Sequence, residues 1–248
     1  MFPDDPTMEL NDETLLTEMH DANMWVIFNR PSKANAMTVS MMERATAAIV
    51  QAGRDPEIKA IVLTGAGERV FTAGVDIREK PEDGNQAGQR ERRSHALAAL
   101  QDAVLDTPKP IVAALNGSAV GGGAMLALLA DACVAVESAA ISLPEIDIGI
   151  ASFSGSNILA VAGGRALALD LIQSGRRLEA ADARARGLVR AVVARSELPS
   201  TAEALAQSLG EKDARAFAHN KRWINRAMKA AIAEAREEHA RHRAGTNP

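Results

Sequence analysis

The chain has 248 residues, of which 47% are hydrophobic and 24% charged, and its formal net charge at pH 7 is −4. This composition is typical of a globular protein with one large core, and the negative charge disfavours nucleic acid as the main partner. The apolar runs are too short or too rich in alanine to span a bilayer, and residues 1–11 are acidic and polar, unlike an export signal. We therefore predict a cytoplasmic protein that does not bind membranes.

Strand and helix signals alternate along the chain, which predicts an α/β fold with strands connected through helices. In the first third, the patterns predict a hairpin over residues 15–19 and 24–28, an amphipathic helix over 40–52 that is capped by Ser40 and ends at Gly53, and a buried strand over 59–64. A glycine turn over 72–76 follows a short apolar segment.

The rest of the chain continues this alternation and ends in helices. A polar loop over 81–88, expected to be mobile, precedes a helix over 90–105. Next come strands over 111–115, 133–136 and 140–143, and helices over 124–130, 154–162, 165–173, 199–209, 214–228 and 230–242, before a frayed tail over 244–248. The only cysteine, Cys133, lies within an apolar run and is predicted to be a buried structural thiol.

The most informative segment is the apolar run 111–115, which ends at Asn116-Gly117 and leads to the triple glycine 121–123. A helical pattern then begins, so unpaired backbone N–H groups are expected where this helix starts. The partial positive charge of a helix N-terminus would stabilise an oxygen that becomes an anion during a reaction. Glu145 follows Pro144 within an apolar stretch, and burial there would raise the pKa of its carboxyl toward that of a working base.

Other common motifs do not fit. The glycines of 65–67 and 121–123 lack the third glycine of a dinucleotide fingerprint, and no lysine follows Gly122 as a phosphate-binding loop requires. His239 and His242 lie three residues apart on a charged helix and are predicted to face solvent. The histidines show no metal-ligand spacing, so we predict neither a metal nor a separate cofactor.

Several short segments follow one another in a characteristic order: Asn29-Arg30-Pro31, Asn35-Ala36-Met37, Phe71-Thr72-Ala73-Gly74-Val75-Asp76, 114–123, 143–149, 174–178 and 187–189. In order and spacing these segments resemble the enoyl-CoA hydratase/isomerase (crotonase) family over most of the chain. The resemblance implies a spiral of strand–strand–helix (ββα) turns over residues 1–190, which would hold the acyl-CoA site. It also implies a helical segment over 191–248 that forms homotrimers or dimers of trimers.

The resemblance also implies roles for individual residues. The backbone amides of Ala73 and Gly122 would form an oxyanion hole for the carbonyl of an acyl-CoA thioester, in which coenzyme A is part of the substrate. Lys221 would reach the CoA phosphates from a neighbouring subunit. The other residues expected to contact the substrate on the CoA side are Ala34, Gly74, Val75, Asp76 and Ile77. Apart from the resemblance, Met125, Phe153, Leu143 and Ile150 indicate an apolar pocket for the acyl group.

The expected catalytic residues depart from the hydratase pattern. Hydratases of the family carry one glutamate two residues after the triple glycine, where this chain has Met125, and a second one that corresponds to Glu145. A single glutamate is sufficient to move a double bond, so the resemblance favours an enoyl-CoA isomerase with Glu145 as the proton carrier. Dienoyl-CoA isomerases carry an aspartate eight residues further on, where this chain has Phe153.

Several alternatives stay open at this point. The same scaffold would also support weak hydration, decarboxylation or thioester hydrolysis. Asp147 and His95 are secondary candidates for a catalytic role. A protein that binds acyl-CoA without catalysis, or one that binds RNA through the basic cluster Arg90, Arg92 and Arg93, is a less favoured interpretation.

Overall fold

The structure is a computed structural model that describes residues 13–81, 84–243 and 245. The expected polar N-terminus over 1–11 lies outside the described residues. So do residues 82–83 of the predicted loop and most of the predicted tail over 244–248.

The described residues form ten strands, eight α-helices and three short 3-10 helices. The strands are β1 (Leu15–His20), β2 (Asn23–Phe28), β3 (Ala60–Gly65), β4 (Val70–Thr72), β5 (Ile111–Leu115), β6 (Ser118–Val120), β7 (Ala132–Val136), β8 (Ala140–Ser142), β9 (Leu178–Glu179) and β10 (Ala191–Val193). The helices are α1 (Val39–Arg54), α2 (Gln86–Asp106), α3 (Gly122–Leu129), α4 (Phe153–Gly163), α5 (Arg165–Ser174), α6 (Ala180–Ala185), α7 (Leu198–Gly210) and α8 (Ala214–Arg243). The 3-10 helices are Pro31–Lys33, Pro144–Ile148 and Arg195–Glu197.

The strands form two sheets that the chain visits in turn. The larger sheet has the order β1-β2-β3-β5-β7-β10, and the smaller one has the order β4-β6-β8-β9. In the larger sheet β3, β5 and β7 are parallel to their neighbours and fully buried, which explains why they are continuous apolar runs. Each is followed by a short strand of the smaller sheet and then by a helix. This repetition confirms the predicted α/β spiral of ββα turns.

Most predicted elements occur within a few residues of their expected bounds, and the differences have local causes. The N-cap of α1 is Thr38, whose hydroxyl accepts a hydrogen bond from the N–H of Met41 at 3.2 Å, rather than Ser40. The helix also continues through Gly53, which packs closely against the end of α2. A Cβ at Gly53 would lie 3.0 Å from Oγ1 of Thr107, so the glycine serves close packing instead of ending the helix. Strand β6 was not among the predicted elements.

The C-terminal part differs more from the expectation. The two helices predicted over 214–228 and 230–242 are one helix, α8, because neither glycine nor proline interrupts the sequence between them. Strand β10 pairs with β7, and α7 packs on β3 and β5. The core therefore continues past residue 190, where the predicted core domain ends. Helix α8 lies against α4 and α2 of its own chain.

Candidate active site

Two glycine turns meet at one edge of the smaller sheet. β4 leads into Ala73-Gly74-Val75, and its parallel neighbour β6 leads into the triple glycine that begins α3. The two backbones touch: a Cβ at Gly74, where φ is +84°, would lie 2.8 Å from the N atom of Gly122. A Cβ at Gly123 would lie 2.5 Å from the carbonyl oxygen of Thr72. The glycines are therefore required by the close approach of the two turns.

The structure corrects one of the two expected amide donors. The N–H of Ala73 donates to the carbonyl of Ala34 at 3.0 Å, so it is already used. Met37 bonds to both neighbours of Val75, donating to the carbonyl of Gly74 and accepting from the N–H of Asp76, each at 2.8 Å. Because successive N–H groups of an extended chain point in opposite directions, the N–H of Val75 faces away from Met37.

Gly122 is the other amide donor expected from the sequence. It is the first residue of α3, and the first hydrogen bond of this helix runs from the N–H of Met125 to the carbonyl of Gly121, at 3.0 Å. Within the described part of the chain, the N–H groups of Gly122 and Val75 have no hydrogen-bond partner. The two residues are neighbours, since a Cβ at Gly122 would lie 3.5 Å from a methyl carbon of Val75.

Glu145 lies directly over the triple glycine. It follows β8, which pairs with β6, and is the second residue of the 3-10 helix Pro144–Ile148. Its Oε1 is 3.2 Å from the position of a Cβ at Gly121, whereas its Oε2 is buried and has no hydrogen-bond partner. Burial raises the pKa of this carboxyl, and the Glu145 N–H and the Ser152 hydroxyl offset only part of that rise.

Met125 occupies the position on α3 where a second carboxylate would be expected. Its side chain is buried, and its sulfur accepts a hydrogen bond from Nε2 of Gln101, at 3.4 Å. Oε1 of Gln101 in turn accepts from Nη2 of Arg236 on α8, at 3.1 Å. Sequence reasoning missed Gln101 and Arg236. The sequence did carry a signal for Gln101: it lies next to Leu100 and three residues before Val104, both of which face the core, so its side chain could have been expected to be buried as well.

An apolar region adjoins Met125 at the start of α4. A Cβ at Gly155 would lie 2.4 Å from Cδ2 of Leu143, 2.5 Å from Oγ of Ser152 and 3.1 Å from Cε of Met125. These three groups therefore share a small space, which Gly155 leaves free. Phe153, also expected in the acyl pocket, is half-buried on the same turn of the helix, whereas Ile150 is exposed.

The two histidines expected to face solvent lie over Phe153. The ring centroids of His239 and His242 are 6.0 Å and 5.6 Å from that of Phe153, because α8 packs along α4. Burial lowers the pKa of His239, and the positive charges of Arg243 and His242 add to the effect. The expectation of a solvated face is therefore corrected for His239, which is half-buried.

The two glycine turns, 73–75 and 121–123, together form a corner, and the segment after Gly74 forms its rim. Oδ2 of Asp76 accepts a hydrogen bond from Nη1 of Arg30 at 2.9 Å, and the side chain of Ile77 is exposed. Burial alone would raise the pKa of Asp76, but the hydrogen bonds from Arg30 and from the N–H of Arg78 hold it below its usual value. Ala34 is joined to this rim by its bond to Ala73. The structure thus brings together the residues expected on the CoA side, Lys221 excepted.

Lys221 is not at the corner, and its expected role at the CoA phosphates is corrected. Its side chain is 2% exposed, and Nζ donates to Oδ2 of Asp131 at 2.6 Å and to the carbonyl of Lys109 at 3.0 Å. The same Oδ2 accepts the N–H of Ile111, which places the pair at the amino end of β5. Burial lowers the pKa of Lys221 and raises that of Asp131. The ammonium is therefore a structural partner of a buried carboxylate.

The secondary candidates also lie away from the corner. The carboxylate of Asp147 is beside Gly175, since a Cβ there would be 3.0 Å from its Oδ2. His95 is exposed on α2, with its Nε2 4.0 Å from Oε1 of Glu91. Neither residue contacts the carboxylate of Glu145.

The basic cluster is partly engaged within the chain. Nη2 of Arg93 donates to the carbonyl of Glu79, and Nε of Arg92 donates to Oε1 of Gln89 at 2.9 Å. Arg90 is exposed. These contacts weaken the RNA-binding alternative, because they leave fewer of the three arginines for phosphates.

Other sequence expectations concern metals, membranes and the thiol. Among the described residues, no group of three or more His, Cys, Asp or Glu side chains could hold a metal ion. No helix in that part of the chain is long and apolar enough to cross a membrane. Cys133 is buried, as predicted, and burial raises the pKa of its thiol to about 12.

Comparisons with known proteins agree with the geometry. The family described as Enoyl-CoA hydratase/isomerase matches residues 19–246. A probable enoyl-CoA hydratase of Rhizobium meliloti is 36% identical over 90% of this chain and 85% of its own, and probable enoyl-CoA hydratase echA8 of Mycobacterium bovis is 33% identical over the same shares. The crystal structure of an enoyl-CoA hydratase from Bacillus anthracis superposes with a TM-score of 0.80 at 27% identity, covering 90% of each chain. The chain therefore belongs to the enoyl-CoA hydratase/isomerase family.

Proposed function

We propose that this enzyme stabilises the enolate of an acyl-CoA thioester and uses it to move a carbon–carbon double bond. The N–H groups of Val75 and Gly122 hold the thioester oxygen, and Glu145 removes a proton from the α-carbon. The observation that carries the proposal is the position of the Glu145 carboxylate over Gly121, one residue before a free amide at the start of α3.

The electrostatics of the corner suit this reaction. An α-proton of a thioester is weakly acidic, and its removal places negative charge on the carbonyl oxygen. Each fixed amide donor is worth about 3 kcal/mol toward such an anion, by comparison with known oxyanion holes. Burial raises the pKa of Glu145, which makes its carboxylate a stronger base than an exposed one.

Isomerisation requires one group that both accepts and returns the proton. Glu145 would take the proton from the α-carbon of a β,γ-enoyl-CoA as the C–H electrons move into the enolate. It would then return the same proton to the γ-carbon, and the double bond would end between the α- and β-carbons. Met125 neither donates nor accepts a proton, and it keeps the region beside Glu145 apolar.

Hydration is the second candidate, and it is favoured by the names of the relatives. Both sequence relatives described above are called probable enoyl-CoA hydratases. Addition of water to a 2-enoyl-CoA would have to proceed with Glu145 and without a carboxylate at position 125. We therefore place hydration second. Decarboxylation and thioester hydrolysis would use the same amide pair.

We propose further that coenzyme A lies along the rim formed by Ala34 and residues 73–77, with the acyl group toward Met125 and Phe153. Lys221 is not part of this proposal. We also propose a homo-oligomer, a trimer or a dimer of trimers, in which α8 takes part. Its Trp223 and Ile224 are 67% and 70% exposed, which is unusual for large apolar side chains and typical of a contact surface. Location in the cytoplasm stays a prediction from the sequence.

The decisive experiment resolves the products by chromatography and mass. The enzyme is supplied with a β,γ-enoyl-CoA, a 2-enoyl-CoA and a saturated acyl-CoA, and we expect fast conversion of the first to its α,β isomer. Glu145→Gln should reduce this turnover by at least about 10³-fold, as expected for loss of a general base. Asp147→Asn, in the same 3-10 helix, is the matched control and should retain turnover.

Two outcomes would contradict the assignment. Unchanged turnover in Glu145→Gln would remove Glu145 from the chemistry. Rapid hydration of the 2-enoyl-CoA, with no isomerisation of the β,γ compound, would replace the isomerase by a hydratase that works with one carboxylate.

A further inference from the structure

Ser152 carries a buried hydroxyl with no visible structural use. It directly precedes α4, the position where a serine normally accepts a hydrogen bond from a free N–H of the first helical turn, but its side chain makes no such bond. Ser152 is joined to the helix through its backbone carbonyl instead. This carbonyl accepts a hydrogen bond from the N–H of Ser156 at 2.8 Å and another from the Ser156 hydroxyl at 2.7 Å. Oγ of Ser152 is buried without a hydrogen-bond partner.

A second unpartnered oxygen belongs to the same site. Oε2 of Glu145 is also buried and without a partner. The two oxygens border the same end of α3: Oε1 of Glu145 lies 3.2 Å from the position of a Cβ at Gly121, whose carbonyl accepts the N–H of Met125, and Met125 and Ser152 both adjoin Gly155. The Ser152 hydroxyl also lowers the pKa of Glu145, although the two oxygens do not form a hydrogen bond of normal geometry here. Buried polar atoms are almost always hydrogen-bonded, so two unpartnered oxygens in one site require an explanation, such as a role in catalysis.

The surroundings place the hydroxyl on the acyl side of the corner. A Cβ at Gly155 would lie 2.5 Å from Oγ of Ser152 and 3.1 Å from Cε of Met125. Ser152 thus supplies a polar atom immediately beside the methionine that stands in place of a carboxylate. A hydroxyl both donates and accepts hydrogen bonds, so it fits a neighbour that alternates between carboxylate and carboxylic acid.

We propose that Ser152 is the positioning residue for Glu145, donating a hydrogen bond to the ionised carboxylate and accepting one from the protonated acid. This role rests on the function proposed above. The serine keeps its own proton throughout, while the proton that Glu145 takes from the α-carbon goes to the γ-carbon. The hydroxyl thereby holds the carboxyl in one orientation during both transfers.

The test replaces Ser152→Ala and follows the pH dependence of β,γ-enoyl-CoA isomerisation. Removal of a donor to the carboxylate raises the pKa of Glu145, so the rise of kcat/KM with pH should move upward by about half a pH unit or more. We expect kcat to fall about 10-fold with KM within about twofold, as for loss of an orienting hydrogen bond. Ser154→Ala, on the first turn of the same helix, should match the wild type in all three quantities.

A direct titration separates this proposal from the proposed function. Infrared difference spectra between the wild type and Glu145→Gln report the protonation of Glu145 without any substrate, and the same difference is measured in the Ser152→Ala background. A shift in that titration supports the pairing even if no isomerase activity is found, in which case only the proposed function fails. An unmoved titration in a Ser152→Ala protein of unchanged melting temperature overturns the pairing, whatever reaction the enzyme catalyses.

Discussion

The N–H of Ala73 and the carbonyl of Ala34 form a hydrogen bond of 3.0 Å that joins the first glycine turn to the loop before α1. This bond uses the amide that the family resemblance suggested as a donor to substrate. Two further hydrogen bonds fix the same turn, because Met37 binds the backbone on both sides of Val75. The amide of Val75, two residues further on, is consequently the one that the fold holds in place and leaves unpaired.

Close contact between the two glycine turns should be essential for activity. Gly74→Ala would place a Cβ 2.8 Å from the N atom of Gly122, in a residue whose φ is +84°. We expect the displaced amide to lower kcat/KM by about 10²-fold to 10³-fold, the usual cost of losing one oxyanion donor. Steady-state kinetics with a β,γ-enoyl-CoA measure this effect.

Gly164→Ala provides a matched control for that variant. Gly164 has the same φ of +84°, but no heavy atom lies within 4 Å of the position of its Cβ. Its replacement therefore introduces the backbone strain without the crowding. If both variants lost activity equally, strain alone would explain the result and the contact between the turns would be irrelevant.

The buried carboxyl of Glu145 should make the active enzyme less stable at neutral pH than its Glu145→Gln variant. Burial raises the folded-state pKa of Glu145 above its ordinary value of 4.5, so the unfolded chain loses this proton first as pH rises. The free energy of unfolding of the wild type, relative to that of the Glu145→Gln variant, therefore falls above about pH 4.5 and levels off above the folded-state pKa. Melting temperatures of both proteins between pH 4 and 8 should diverge in this direction; parallel curves would contradict it.

Lys221→Met tests the buried ion pair at the amino end of β5. Removing the ammonium leaves the Asp131 carboxylate with only backbone N–H groups as partners, those of Ile111 and of Asp131 itself, and the loss of one member of such a pair costs about 3 kcal/mol. We expect a lower denaturant midpoint and an unchanged KM for acyl-CoA. The double variant Lys221→Met/Asp131→Asn should recover part of the stability. A stable Lys221→Met with a raised KM would instead restore the phosphate-binding role.

The fold could be predicted from the sequence because its signals are local. Continuous apolar runs such as 111–115 indicate buried parallel strands, and the triple glycine marks the start of α3. The position of Glu145 over this start was also accessible, since the order of its motif and that of the glycines is characteristic of the family.

The choice of free amide, in contrast, depends on contacts between distant segments. Ala73 and Val75 belong to the same glycine turn, and only the pairing with Ala34 and Met37 determines which N–H is unpaired. Gln101 was missed for a similar reason. A glutamine within a helical pattern gives no sign that its amide contacts Met125, which lies on another helix.

Met125→Glu should shift the reaction toward hydration. The new carboxylate could accept a hydrogen bond from Nε2 of Gln101, which already donates to the sulfur of Met125. It would face the substrate together with Glu145. Two carboxylates can orient and deprotonate water, so we expect hydration of a 2-enoyl-CoA to rise by about 10²-fold, the lower range for an added acid–base group. Met125→Gln is the control, because it fills the same space with a polar group that cannot accept a proton. If the two variants hydrate equally, polarity rather than a second base limits hydration, and the preference for isomerisation would have to rest on features other than Met125.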